Sequence, residues 1–159
     1  MSSPPKANRQ QPPLEDQIFI AVMKAADYLG QQAEQLLKSH GLTGTQYNVL
    51  RILRGAGQDG LPCRSVGDRM ISHDPDMTRL LDRMEKRGLI TRERQKDDRR
   101  VVKTRITAQG MEMLKRLDQP VREMHKQQFQ HMNATKLKQL ADLLGECQKP
   151  ASKGPSEAS

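Results

Sequence analysis

The side chains best placed to do chemistry in this sequence are guanidinium and ammonium groups, and they cluster. Between Arg79 and Arg105, eleven Lys/Arg stand against five Asp/Glu, so six of the eight net positive charges of the 159-residue chain fall within 27 residues. A local basic excess of this kind suits a polyanionic partner, with the cations neutralising phosphates. Groups for making and breaking bonds are not gathered in the same way. There is no nucleophile–base motif, no Gly-rich phosphate loop and no metal-ligand spacing. His125 and His131 are six apart and do not share a helix face, so no zinc site is expected. Cys63 and Cys147, without a CxxC pair, suggest a reducing compartment and neither a disulfide framework nor a zinc finger.

Other bounds follow from what the sequence lacks. Its only aromatic residues are Phe19, Tyr28, Tyr47 and Phe129, too few for the stacking platforms that single-strand binders need. No run has the length of a membrane span and the first residues lack an apolar signal core. A cytoplasmic protein with no cofactor, metal or membrane partner is expected, and not an enzyme. At 159 residues with a sequence pI near 9.8, one domain with a real core is expected.

The elements that must position the basic cluster follow from periodicity and punctuation. Residues 1–13 carry Pro4, Pro5, Pro12 and Pro13 among polar neighbours and are expected to form a disordered arm. From Leu14 to about Ser39, apolar residues recur every three or four positions, predicting a long helix that Gly41 stops. Thr43 or Thr45 caps a second helix to about Gly55. The GAGQDGLP segment is a loop leading towards a short edge strand. A short helix over roughly Arg64 to Met70 presents Val66 and Met70 inward. Ser72 or Asp74 then caps a further helix, with Pro75 in its first turn, where a missing N–H costs nothing. That helix buries Met77, Leu80, Leu81 and Met84 and ends at Gly88; two short helices joined by a tight turn form a helix-turn-helix. Leu89–Arg94 and Val101–Ile106 alternate as two strands around the turn formers Lys96, Asp97 and Asp98. Thr107 caps a long helix to about His131, in which Pro120 is expected to introduce a kink, and Asn133 caps a last one to about Gln148. Residues 149–159 are expected to be a disordered tail.

This order resembles the MarR family of winged-helix transcriptional regulators. LTGTQYNVLRIL (Leu42 to Leu53) is similar to the family's second helix, VGDRM (Val66 to Met70) to the first helix of its reading unit, and MTRLLDRMEKRGLI (Met77 to Ile90) to its recognition helix. DDRRVVKTRITAQG (Asp97 to Gly110) matches the wing pattern: Asp, one residue, Arg, then an alternating strand ending in Thr with a Gly three further on. The resemblance implies a mainly α fold with a small β-wing. Its winged helix-turn-helix core would span about 42–107 and its dimerisation helices about 14–39 and 107–148, all within a single domain at 14–148.

It also implies site residues. A recognition helix enters the major groove N-terminus first, placing His73, Asp76, Thr78, Arg79 and Arg83 at the DNA. Thr78 suits a thymine methyl, Arg79 a guanine edge and Asp76 a cytosine amino group. The family's wing arginine corresponds to Arg99, oriented by Asp97 and reaching the minor groove beside Arg100. Arg94, Lys96, Lys103 and Arg105 would add phosphate contacts. Ile18, Phe19, Val22, Leu117, Val121, Leu140, Leu143 and Leu144 are candidates for a homodimer interface, which calls for a pseudo-palindromic double-stranded DNA operator. The family's crevice for small aromatic or phenolic ligands would lie near Met23, Tyr47, Arg51 and Met111, although ordinary core packing also accounts for its apolar members. The implied function is a repressor released by a small molecule. The alternatives are non-specific or architectural DNA binding, and redox sensing through Cys63 at the start of a short helix.

Overall fold

The computed structural model describes residues 11–72, 74–95 and 101–149. The expected arm up to Gln10, the turn at 96–100 and the tail from Pro150 lie outside them, as does His73. Helix α1 spans Leu14–Ser39, α2 Gly44–Ala56, α3 Cys63–Asp68, α4 Met77–Lys86, α5 Ala108–Phe129 and α6 Ala134–Cys147. Strands β1 (Leu61–Pro62), β2 (Ile90–Arg94) and β3 (Val102–Ile106) form one antiparallel sheet in the order β1-β3-β2. The register pairs Ile90 with Ile106 and Arg94 with Val102, so the β2–β3 hairpin projects its far end towards residues 96–100.

The local chemistry explains most boundaries. At α2, Thr43 Oγ1 accepts from the Gln46 backbone N–H and Gln46 Oε1 accepts from that of Thr43, both at 3.2 Å. This reciprocal box satisfies two otherwise orphaned donors and contributes about 1 kcal/mol. Thr107 caps α5: its hydroxyl accepts from Gly110 N–H at 3.0 Å and donates to Gly88 O at 2.6 Å. Asn133 caps α6 through Lys136 N–H at 2.9 Å.

The start of α4 corrects the expectation of a Ser72 or Asp74 cap. Asp74 Oδ1 accepts the Asp76 N–H at 2.9 Å, a local turn that keeps Asp74 outside the helix. Asp76 is the cap instead, accepting from Arg79 N–H at 3.2 Å, and Pro75 lies in the turn before the helix. The short helix α3 likewise ends at Asp68, before Arg69 and Met70, which turn back by hydrogen bonds to Val66 and Gly67.

Contacts group into two compact units, one ending at Val121 and one beginning at Arg122. The core belongs to the first unit. Leu42, Val49, Leu50 and Leu53 meet Val66, Leu80, Leu81, Met84, Leu89, Ile90, Leu114 and Leu117, all essentially buried. Each such side chain stabilises the fold by about 1.5–3 kcal/mol. This burial places Leu117 and Val121 inside their own unit and removes them from a direct role in a dimer surface. Met77 and Met70 are only half-buried. In the second unit no residue of α6 is buried.

Candidate nucleic-acid interface

Helix α4 offers one apolar and one charged face. Leu80, Leu81 and Met84 turn inward, while Thr78, Arg79 and Arg83 are exposed, as a recognition helix requires. Arg79 is 81% exposed in its side chain, and its Nε pairs with Asp76 Oδ2 at 3.2 Å. Asp76 therefore both caps the helix and orients the first arginine. The expected role of Asp76 as an acceptor for a cytosine amino group would add to these two engagements.

On the hairpin, Arg94 is exposed at the end of β2 and Lys103 is half-buried opposite Glu93. Arg105 is not a free phosphate ligand. Its Nη1 donates to Glu93 Oε2 and its Nε to Gln58 O, each at 2.9 Å. Lys96, Arg99 and Arg100, with Asp97, lie outside the described residues.

Two basic residues that sequence reasoning passed over hold α4 in place. Arg87, just past its C-terminus, donates to Gly41 O at 2.7 Å and to Gln46 Oε1 at 3.1 Å, tying the helix end to the α1–α2 corner. Arg92 of β2 forks onto Asp82 and Glu85 of α4. The only sequence signal was the pair of acids three apart on an otherwise basic helix.

The candidate ligand residues do not converge. Tyr47 is half-buried on α2 with the Arg51 guanidinium 5.9 Å from its ring centre, within cation–π range. Met23 is 56% exposed on α1. Met111 instead lines a cavity of about 400 Å³ with Arg54, Gly57, Arg105 and Ile106, which Tyr47, Arg51 and Met23 do not reach. The Arg54 side of this cavity is fixed by Asp118, whose two oxygens accept from Arg54 Nη1 at 2.9 Å.

Burial pushes the Tyr47 hydroxyl pKa up, the Arg51 charge opposes that, Asp118 adds to it and Arg54 opposes it; the net direction is up. The folded chain thus keeps a proton that the unfolded chain releases, so stability falls as pH rises above the ordinary tyrosine range and is unaffected by this group below it. In a Tyr28→Phe protein, ultraviolet titration of the remaining tyrosine should give a higher midpoint folded than in denaturant. An equal or lower midpoint would contradict the packing assigned to Tyr47.

Cys63 opens α3 half-buried, its Sγ 3.3 Å from Thr104 Oγ1 and 3.6 Å from Val102 O. It is packed against the wing strand, on a helix of six residues. Among the described residues, no helix is long and apolar enough to cross a membrane.

Comparison with known proteins agrees with this geometry. The family model described as MarR family matches residues 42–102, the stretch from the start of the core to the hairpin. A MarR transcription factor from Planctomyces limnophilus, known as a crystal structure, is 33% identical, with 86% of this chain and 99% of that chain covered and a TM-score of 0.66. The homoprotocatechuate degradative operon repressor of Escherichia coli is 28% identical over 133 residues, 84% of this chain and 88% of the relative. A mutant of MarR from Escherichia coli, solved with operator DNA, is 20% identical with a TM-score of 0.76 over 87% of this chain and 100% of that one, a likeness of fold. With its helix-turn-helix, its hairpin wing and these relatives, the chain belongs to the MarR family of winged-helix transcriptional regulators.

Proposed function

We propose that the chain is a homodimeric, sequence-specific regulator of transcription that binds a pseudo-palindromic double-stranded DNA operator as a repressor and is released by a small molecule. The observation that carries this reading is the exposed Thr78–Arg79–Arg83 face of α4 set beside a basic hairpin, over a core that buries the opposite face of the same helix. The helix suits the major groove and the wing arginine Arg99 the minor groove beside it. The cavity between α2, β3 and the start of α5 supports a ligand-responsive protein, since its walls join the wing strand to the helix that follows. The reading is of a cytoplasmic binding protein, not an enzyme; the relatives compared are named as regulators or repressors.

The test is fluorescence anisotropy on the duplex upstream of the protein's own gene beside a scrambled duplex, at several salt concentrations. A preference of about a thousandfold or more supports a specific regulator, whereas equal, steeply salt-dependent binding to this duplex, to its scrambled form and to sequences selected from a random pool favours the architectural reading. Within the specific case, Arg79→Ala should relax preference at one base pair of each half-site, at about 1–3 kcal/mol. A uniform loss across all sequences would make Arg79 a phosphate contact only.

A further inference from the structure

Among the described residues, Arg92 of the wing strand is joined to two carboxylates of α4. Arg92 sits on the inward-facing side of β2 with Ile90, and its side chain is 21% exposed. Its Nε donates to Glu85 Oε2 at 3.0 Å, its Nη2 donates to the same oxygen at 2.8 Å, and Nη2 also donates to Asp82 Oδ1. The Arg92 backbone N–H donates to Glu85 Oε1 at 3.0 Å. Both carboxylates belong to α4, whereas Arg92 belongs to the wing. Burial by itself works against the Arg92 charge, and the hydrogen bonds and charges of Glu85 and Asp82 more than offset it.

Packing alone leaves this side of the helix–strand contact open. A cavity of about 320 Å³ lies between α3, α4 and β2, lined by Cys63, Met77, Thr78, Leu81 and Arg92. Apolar contacts at Leu81 and Ile90 hold α4 near the sheet but are non-directional, whereas a planar fork engaging two carboxylates fixes orientation. Arg94, two residues further along the same face of β2, carries the hairpin outward.

We propose that Arg92 is a positioning residue for DNA recognition, locking α4 to β2 so that recognition helix and wing engage each half-site as one body. This rests on the DNA-binding reading above. Arg92 touches neither groove in this role; it acts through the groups that do.

The test uses the full chain and a duplex that the wild-type protein itself enriches from a randomised pool. Hydroxyl-radical footprinting then separates minor-groove protection by the wing from contacts of the helix, scored by major-groove methylation protection. Arg92→Met should lose the wing protection while keeping the helix contacts, and should lose at least about tenfold in operator affinity, or about 1.4 kcal/mol. Arg92→Lys keeps the charge but should not keep the wing protection, because an ammonium is a point charge without the fork. The double variant Asp82→Asn/Glu85→Gln is the sharper case, and it carries the test if Arg92→Met does not fold. It makes the head more positive, so a purely electrostatic role predicts tighter binding, whereas loss of the lock predicts lost wing protection and weaker operator binding. Unchanged footprints, or tighter binding with the wing protection intact, overturn the proposal alone. If the wild type enriches no sequence, the sequence-specific reading fails and the proposal falls with it.

Discussion

Gly110→Ala should be among the most damaging single-methyl additions available in this chain, lowering stability by about 3 kcal/mol. A Cβ at Gly110 would stand 2.3 Å from Leu89 O, 2.9 Å from Ile106 Cγ1 and 3.2 Å from Leu50 Cδ2. The first of these is backbone, and it is not free to move: Leu89 O accepts the Thr107 N–H at 3.1 Å. Shifting α5 outward instead would break the Thr107 cap and open the core around Leu114, which is fully buried. At about 2–4 °C per kcal/mol, the thermal midpoint should fall by about 6–12 °C. Gly145→Ala is the matched control. Nothing lies within 4 Å of that position on α6, so alanine should leave stability unchanged or raise it by up to about 1 kcal/mol. A Gly110→Ala protein melting at or above the wild-type midpoint would show that α5 does not approach the sheet as described.

The second large effect is expected on assembly and, through it, on DNA. α1 runs for 26 residues with only Leu37 buried, although Ile18, Phe19 and Val22 are apolar and 48%, 66% and 38% exposed. α6 leaves Leu143 and Leu144 exposed in the same way. Apolar surface on this scale calls for a partner, and a second copy fits a regulator of palindromic sites. Phe19→Asp combined with Leu143→Asp should convert the dimer to a monomer in sedimentation equilibrium. The fold should survive, because both side chains are solvent-facing within the chain. Operator affinity should then fall by about 10²–10⁴, since two linked half-site contacts become separate events. A variant that remains dimeric and binds as before would place the interface on other residues.

Much of the fold was legible because its signals are local. The apolar period over Leu14–Ser39, the threonine cap at Thr43 or Thr45, Gly88 at the end of α4 and the alternation on either side of residues 96–100 are each set by a few neighbouring side chains, and the observed elements follow them closely. The character of the site was legible for a similar reason: eleven cations in one segment are a property of composition. Short-range competition was harder to rank. Ser72, Asp74 and Asp76 all had the chemistry to cap α4, and the choice fell to Asp76 once Asp74 had closed a turn onto its backbone.

What only the tertiary structure decided concerns partners far apart in sequence. Leu117 and Val121 share the periodicity of an interface stripe, but a stripe does not say whether it faces its own core or another chain; the core of the first unit claimed both. Arg105 looked like Arg94 in the sequence, yet one is held by Glu93 and Gln58 while the other is exposed. Met111 lines a cavity that neither Tyr47 nor Arg51 lines. Arg92 gained its two carboxylates only when β2 folded back against α4. By itself, then, the sequence determined the elements and the basic character of the reading head. Which charges remain free for DNA, and which are consumed in holding the head together, depended on three-dimensional pairing, because a guanidinium takes its role from the acceptors within its reach.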